Sequence, residues 1–358
     1  MSLFDPDRSA ERLPVSVITG FLGSGKTTLL NALLRHPEMG DSAVVINEFG
    51  EIGLDHLLVE PIDGEMVVMQ SGCLCCTIRG DLQDTLRRML ARRDRGEVPA
   101  FRRILIETTG LADPAPIIQT LLNNPLISHF LRLDAVVTTV DGVLGMGQLD
   151  EHVEAQKQAA IADRLLMTKL DLAAADAASA LRARLARLNP GAPVLACRQG
   201  DVPPACLFGA GPFDPERKTA PVRQWLRADA YPEPHAGHDH HHHDVNRHDS
   251  RIRSIALISA APLEWNEVSR WLAALRAEHG ASLLRVKGIL DLRGEAGPVV
   301  VHGVHHVFHP PVALSAWPDE DRRSRLVFIL RDLAPSAVEA GWREISRSRP
   351  SADSSSPA

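Results

Sequence analysis

The sequence predicts an α/β fold with a mostly parallel sheet covered by helices on both faces, followed by a smaller α+β domain. Three observations predict it. Short β-branched runs alternate with helical runs from residue 13 to about residue 195, as in parallel sheets whose crossovers are helices. The first run leads into Gly20-Phe21-Leu22-Gly23-Ser24-Gly25-Lys26-Thr27-Thr28, which fits G-x-x-x-x-G-K-S/T, the phosphate-binding loop. Between residues 201 and 250 periodicity fades into proline, glycine and histidine, and it returns from Arg251.

Residues 1–12 read as a tail, 13–200 as the nucleotide-binding domain, 201–250 as a linker, 251–346 as the second domain and 347–358 as a Ser/Pro-rich disordered tail. In the first domain, strands are expected at 15–19, 43–47, 66–69, 103–107, 135–141, 164–168 and 193–197. Helices are expected between them at 27–35, 81–93, 114–122, 153–160 and 176–188. In the second domain, 252–259 reads as a strand. Trp265, Val268, Trp271, Leu272 and Leu275 share one helical face. Strands at 283–292, 299–308 and 325–330 and a closing helix at 335–345 complete it.

The net charge of −6 argues against nucleic acid or an acidic membrane as a partner. No run of about eighteen apolar residues suggests a spanning helix. The polar, charged N-terminus lacks the apolar stretch of a signal peptide, so the expected compartment is the cytoplasm. Three of the five cysteines fall within four positions, which in a reducing compartment favours metal or redox chemistry over disulfides.

The phosphate loop has the context its chemistry needs. A buried strand precedes it and a helix follows, so backbone N–H groups around Gly20, Gly23, Ser24, Gly25 and Thr28 converge where the helix N-terminus adds partial positive charge. Lys26 is expected to reach the β- and γ-phosphates and Thr27 to ligate Mg²⁺. A second apolar strand ends in Glu107-Thr108-Thr109-Gly110. Glu107 is placed to hold Mg²⁺, directly or through water, or to orient the attacking water, and the Gly110 N–H to sense the γ-phosphate. A third strand ends in Thr168-Lys169-Leu170-Asp171, similar to the guanine-specificity pattern N-K-x-D. The Asp171 carboxylate accepts from guanine N1–H and its exocyclic amine, groups that adenine does not offer there. Thr168 replaces the usual Asn, which predicts weaker contacts to the base.

Cys73-Leu74-Cys75-Cys76 offers three soft ligands, suited to Zn²⁺, Co²⁺, Ni²⁺ or Cu⁺, with a fourth position open. The phosphate loop, Asn47-Glu48-Phe49-Gly50-Glu51, the C-x-C-C motif, Glu107–Gly110 and Thr168–Asp171 occur in this order. Together they resemble the CobW-type metallochaperone GTPases, relatives of the nickel-insertion GTPases that serve urease and hydrogenase. More loosely, Arg285-Val286-Lys287-Gly288 and Val301-His302-Gly303-Val304-His305-His306 resemble the C-terminal module of that family. The resemblance implies GTP and Mg²⁺ binding, slow GTP hydrolysis, and Zn²⁺ or Co²⁺ at Cys73, Cys75 and Cys76. It also implies that Glu48 and Asp55 belong to a switch segment between nucleotide and metal. The expected partners are GTP, a transition-metal ion, a client metalloprotein or cofactor-synthesis enzyme, and a second copy of the chain. A metal buffer with a vestigial GTPase and a P-loop small-molecule kinase are the alternatives.

His235, His238, His240, His241, His242, His243 and His248 crowd one proline-flanked stretch, and an imidazole-rich run there is expected to gather metal for the cysteines. His302, His305, His306 and His309 fall on one expected strand. Strict alternation would put 302 and 306 on one face and 305 and 309 on the other, splitting them into ordinary structural histidines.

Overall fold

The fold is a computed structural model that describes residues 12–47, 58–63, 66–69, 74–77, 81–209 and 251–347. In the N-terminal part, nine strands form one sheet in the order β3-β4-β5-β2-β6-β1-β7-β8-β9. They are β1 (Leu13–Gly20), β2 (Ser42–Asn47), β3 (Leu58–Asp63), β4 (Met66–Met69), β5 (Leu74–Thr77), β6 (Arg103–Thr108), β7 (Leu131–Asp141), β8 (Arg164–Thr168) and β9 (Val194–Ala196). From β5 to β9 every neighbouring pair is parallel, and β4 and β3 extend that edge in antiparallel pairing.

Alternation along the strands divides the core in two. Val15, Val17, Ile104, Ile106 and Val136 face one side, where they meet α2 (Leu82–Asp94), α3 (Ala115–Asn123), α6 (Val153–Ile161) and α7 (Ala175–Leu188). Ile18, Val44, Ile46, Leu105 and Val137 face the other side, under Leu29, Leu30, Leu33 and Leu34 of α1 (Lys26–Arg35). Short helices α4 (Pro125–Phe130), α5 (Gly145–Glu151) and α8 (Pro204–Leu207) fill connections.

In the second domain, β10 (Ile252–Ser259), β11 (Leu283–Leu290), β12 (Val299–Val304), β13 (Val307–Phe308), β14 (Val312–Ala313) and β15 (Ser324–Arg331) form an antiparallel sheet. Helices α9 (Trp265–His279) and α10 (Pro335–Ile345) cover one face through Val268, Leu272, Leu275, Val338 and Trp342. The other face lies against the first domain. Leu284, Val304 and Ile329 belong to the same apolar cluster as α6 and α7, so the two domains share a core.

Among the elements that differ from the sequence expectation, four show why. β3 carries Pro61, which argues against a strand, but β3 is the sheet edge, where a missing N–H is tolerated. No helix is expected at α5, which contains Gly145 and Gly147. No strand is expected at the cysteine motif, yet Cys75 and Cys76 lie in β5, paired with Val44 and Val45 of β2. The expected strand 299–308 is a hairpin instead. His305 takes a left-handed φ of 52°, β13 turns back on β12, and strict alternation ends at the turn. His302 and His309 therefore meet, with ring centroids 4.8 Å apart, instead of being split between faces.

The domain seam is charged at its centre. Asp163, between α6 and β8, accepts from Val136 N at 3.0 Å, and its other oxygen accepts from Arg285 Nη2 and Lys287 Nζ at 2.5 Å each. Burial opposes a charged carboxyl here, but the two cations outweigh it and hold Asp163 well below the usual carboxylate range. Burial also pushes Lys287 down to about 8 and keeps His302 neutral.

Candidate nucleotide site

The site is built at the carboxyl ends of β1, β6 and β8, where parallel sheets of this kind present their loops to ligands. β1 ends in Gly20 at φ 145°. A Cβ there would lie 2.3 Å from Thr139 Oγ1 and 2.4 Å from Thr139 O, so only glycine lets the loop leave the strand this close to β7. Ser24 N closes a turn on Phe21 O at 3.1 Å, and its hydroxyl meets Thr139 Oγ1 at 2.7 Å. Lys26, the first residue of α1, is 6% exposed and donates to Gly20 O at 3.0 Å and Phe21 O at 3.3 Å. The next residue, Thr27, donates its hydroxyl to Glu107 Oε1 at 2.9 Å. The structure thus brings together Lys26, Thr27 and the buried Glu107 from two separate motifs. Thr28 is exposed at the start of the helix.

Gly110 is buried against the phosphate loop. A Cβ on it would lie 2.8 Å from both the N and the Cα of Leu22. A displacement of Gly110 is therefore felt by the loop backbone directly.

The third motif is tied to the same loop. Thr168 Oγ1 donates to Ser24 O at 2.8 Å, with Val140 O at 3.2 Å. The hydroxyl is spent on joining β8 to the phosphate loop. Lys169 takes a left-handed φ of 53° and its Nζ reaches Asp141 Oδ2 at 2.6 Å. Burial works to raise the Asp141 carboxyl, but Lys169 and the N–H groups of Leu144 and Val143 outweigh it and hold it low. Asp171 is exposed at the same edge.

Two features had no motif to announce them. Asp141 is an isolated acid at the end of β7, recognisable only as the partner of Lys169. The loop after β9 carries Gln199 at φ 50° and Gly200 at φ 82°, and it packs on the start of α1. A Cβ on Gly200 would lie 2.7 Å from Thr28 O. Glu48, Asp55, Cys73 and His240, His241, His242 and His243 lie outside the described residues, and Cys75 and Cys76 are placed through their backbone alone. Among the described residues, no three His, Cys, Asp or Glu side chains converge as a metal site, and no helix is long and apolar enough to cross a membrane.

Residues 14–196 match the family model for the CobW/HypB/UreG nucleotide-binding domain, and 252–346 match the cobalamin synthesis protein cobW C-terminal domain. The chain is 33% identical over 330 residues to the zinc chaperone YjiA of Escherichia coli, covering 92% of this chain and 98% of that protein. It is 30% identical over 366 residues to the zinc chaperone CobW of Pseudomonas aeruginosa, covering 93% and 91%. The crystal structure of Zn(II)-bound YjiA GTPase from E. coli superposes with a TM-score of 0.74 at 32% identity, over 93% of this chain and 99% of that one. With a phosphate loop tied to two further strand-end motifs and a C-terminal domain sharing its core, the chain belongs to the CobW/HypB/UreG family of P-loop GTPases.

Proposed function

We propose that this protein is a cytoplasmic metallochaperone that binds and slowly hydrolyses GTP, holds Zn²⁺ at Cys73, Cys75 and Cys76, and passes it to a client metalloprotein or cofactor-synthesis enzyme. Co²⁺ is the second candidate metal, and a second copy of the chain a candidate partner. The zinc chaperones YjiA and CobW, similar over nearly the whole length, support the metal and the delivery role. One observation carries the coupling. β5, which contains Cys75 and Cys76, is hydrogen-bonded along β2. β2 is hydrogen-bonded along β6, and β6 carries Glu107, which holds Thr27 of the phosphate loop.

The chain's own groups account for the chemistry. Lys26 holds two carbonyl oxygens of its own loop, and phosphate oxygens would replace them without leaving the ammonium unpaired. The hydroxyl of Thr27 and the carboxylate of Glu107 are hard oxygen donors that suit Mg²⁺, which when bound would neutralise charge developing on the β- and γ-phosphates. Glu107 would also orient water, and the Gly110 N–H would bond the γ-phosphate and let go on its loss. Asp171 would accept from the guanine edge, with Thr168 and Lys169 holding the base motif on the loop. Glu48 and Asp55 would order around GTP, and His240 to His243 would gather metal weakly. Loss of the γ-phosphate would relax the switch and release Zn²⁺.

A competition titration with Zn²⁺ and with Co²⁺, in GDP and in a non-hydrolysable GTP analogue, tests this. Zn²⁺ should bind the GTP form more tightly by about 5–150-fold, and Cys75→Ala or Cys76→Ala should erase that difference while leaving GTP binding intact. Equal metal affinities in the two nucleotide states would overturn the delivery mechanism.

A further inference from the structure

Gln158 stands out among the polar residues of α6. It is fully buried in a helix whose neighbouring positions, Ala155, Ala159 and Ala160, are packed in the core. A buried amide must find partners. Its Nε2 donates to Gly110 O at 3.2 Å and to Ala112 O at 2.9 Å, both in the loop that leaves β6. Turning the amide over would set its oxygen against two carbonyl oxygens, so this orientation is the one the surroundings allow. The backbone O of Gln158 accepts from Thr138 Oγ1 of β7 at 2.8 Å, which fixes that turn of the helix on the sheet.

The residue before it adds a third tie. Lys157 Nζ reaches Asp113 Oδ2 at 2.7 Å, and the other Asp113 oxygen caps Ala115 N at the start of α3. Two consecutive residues of α6 therefore hold the loop at 110, 112 and 113. The helix is itself anchored at both ends. His152, just before it, stacks on Phe21 of the phosphate loop at 4.5 Å, and Asp163, just after it, is locked to Arg285 and Lys287 of the second domain.

We propose that Gln158 is a positioning residue for GTP recognition: by holding the carbonyls of Gly110 and Ala112, it sets where the Gly110 N–H lies relative to the γ-phosphate. The idea rests on the proposed role of Gly110. GDP has no group at that place, so Gln158 matters to the difference between GTP and GDP and little to GDP itself. Its Oε1 is buried without a hydrogen-bond partner among the described residues, which leaves an acceptor free for a rearranged loop.

The test compares GDP and a non-hydrolysable GTP analogue on the full chain, together with kcat, KM and urea unfolding. Gln158→Glu replaces the donor by an oxygen facing two carbonyls. Gln158→Met keeps length and removes all polarity, and serves if the charged variant does not fold. Each should lower affinity for the GTP analogue by about tenfold, the loss of one hydrogen bond in discrimination, with GDP affinity little changed and kcat reduced. A merely structural role would lower both nucleotide affinities together, or lower only the unfolding midpoint, and either result overturns the proposal. Replacing the Gly110 N–H by an ester oxygen, which adds no Cβ against Leu22, separates the two ideas. If it leaves the GTP-to-GDP ratio unchanged, the role of Gly110 fails. If it lowers the ratio and both Gln158 variants do not, the role of Gln158 alone fails.

Discussion

At the phosphate end of the sheet, Lys26 is buried on carbonyl oxygens of its own loop, and Glu107 accepts from the hydroxyl of Thr27. At the domain seam, Asp163 is buried between two cations from another domain. Both regions take charge out of water, which is costly unless it is paired. Their partners differ in kind. In the proposed function a phosphate oxygen takes the place of a loop carbonyl, so the first arrangement would yield to a ligand. A carboxylate shared by Arg285 and Lys287 has no such substitute, so the second fixes one arrangement of the domains. Carbonyls around a buried ammonium can be exchanged for the oxygens of a ligand, whereas two cations around a buried carboxylate hold it in one place.

The largest effect expected from this contrast is on ligand binding. Lys26→Ala should weaken GTP binding and slow turnover by about a hundredfold or more, while the urea midpoint of the nucleotide-free protein stays near that of the parent. A large loss of stability without nucleotide would mean that Lys26 is held as firmly as the seam and would break the comparison.

Asp163→Asn should act the other way round. It leaves Arg285 and Lys287 buried without a counter-charge and should cost about 3–5 kcal/mol in urea unfolding. Replacing all three groups together, with Asp163→Leu, Arg285→Met and Lys287→Met, should recover most of that loss. Failure of the triple variant to recover would mean that the seam depends on shape more than on charge.

The smallest effect sharpens the seam alone. Burial disfavours the charge of Lys287 and pushes it down to about 8 from its ordinary 10.5. Between these values the unfolded chain binds a proton that the folded chain has lost, so this group makes stability rise as pH increases through that window. Stability followed from pH 8 to about pH 10 should therefore climb less in Lys287→Met than in the parent. Asp163 has the opposite dependence at the acid end. Its folded value is depressed, so its contribution is present above the unfolded carboxylate value and is lost as pH falls toward the folded one.

The phosphate loop was legible in the sequence because its residues are contiguous and its chemistry dictates glycine and lysine at fixed spacing. The alternating strands and helices were legible because burial on both faces of a parallel sheet imposes long apolar runs between amphipathic helices. β5 was not, because three cysteines in four positions read as ligands. The hairpin at His305 was not, because a left-handed residue other than glycine leaves no local mark.

By itself, then, the sequence determined what short-range rules control: the alternation of the main strands and helices, the loop that Lys26 closes, the acid near the end of β6 and the motif that follows β8. Tertiary structure alone decided which distant groups meet. Thr27 and Glu107 are 80 positions apart, Thr168 and Ser24 144, and Asp163 and Arg285 122. Gln158 and Asp163 are polar residues at ordinary places in an ordinary helix and its exit. No periodicity or spacing distinguishes them, because their roles come from the loop and the sheet that packing brings to them.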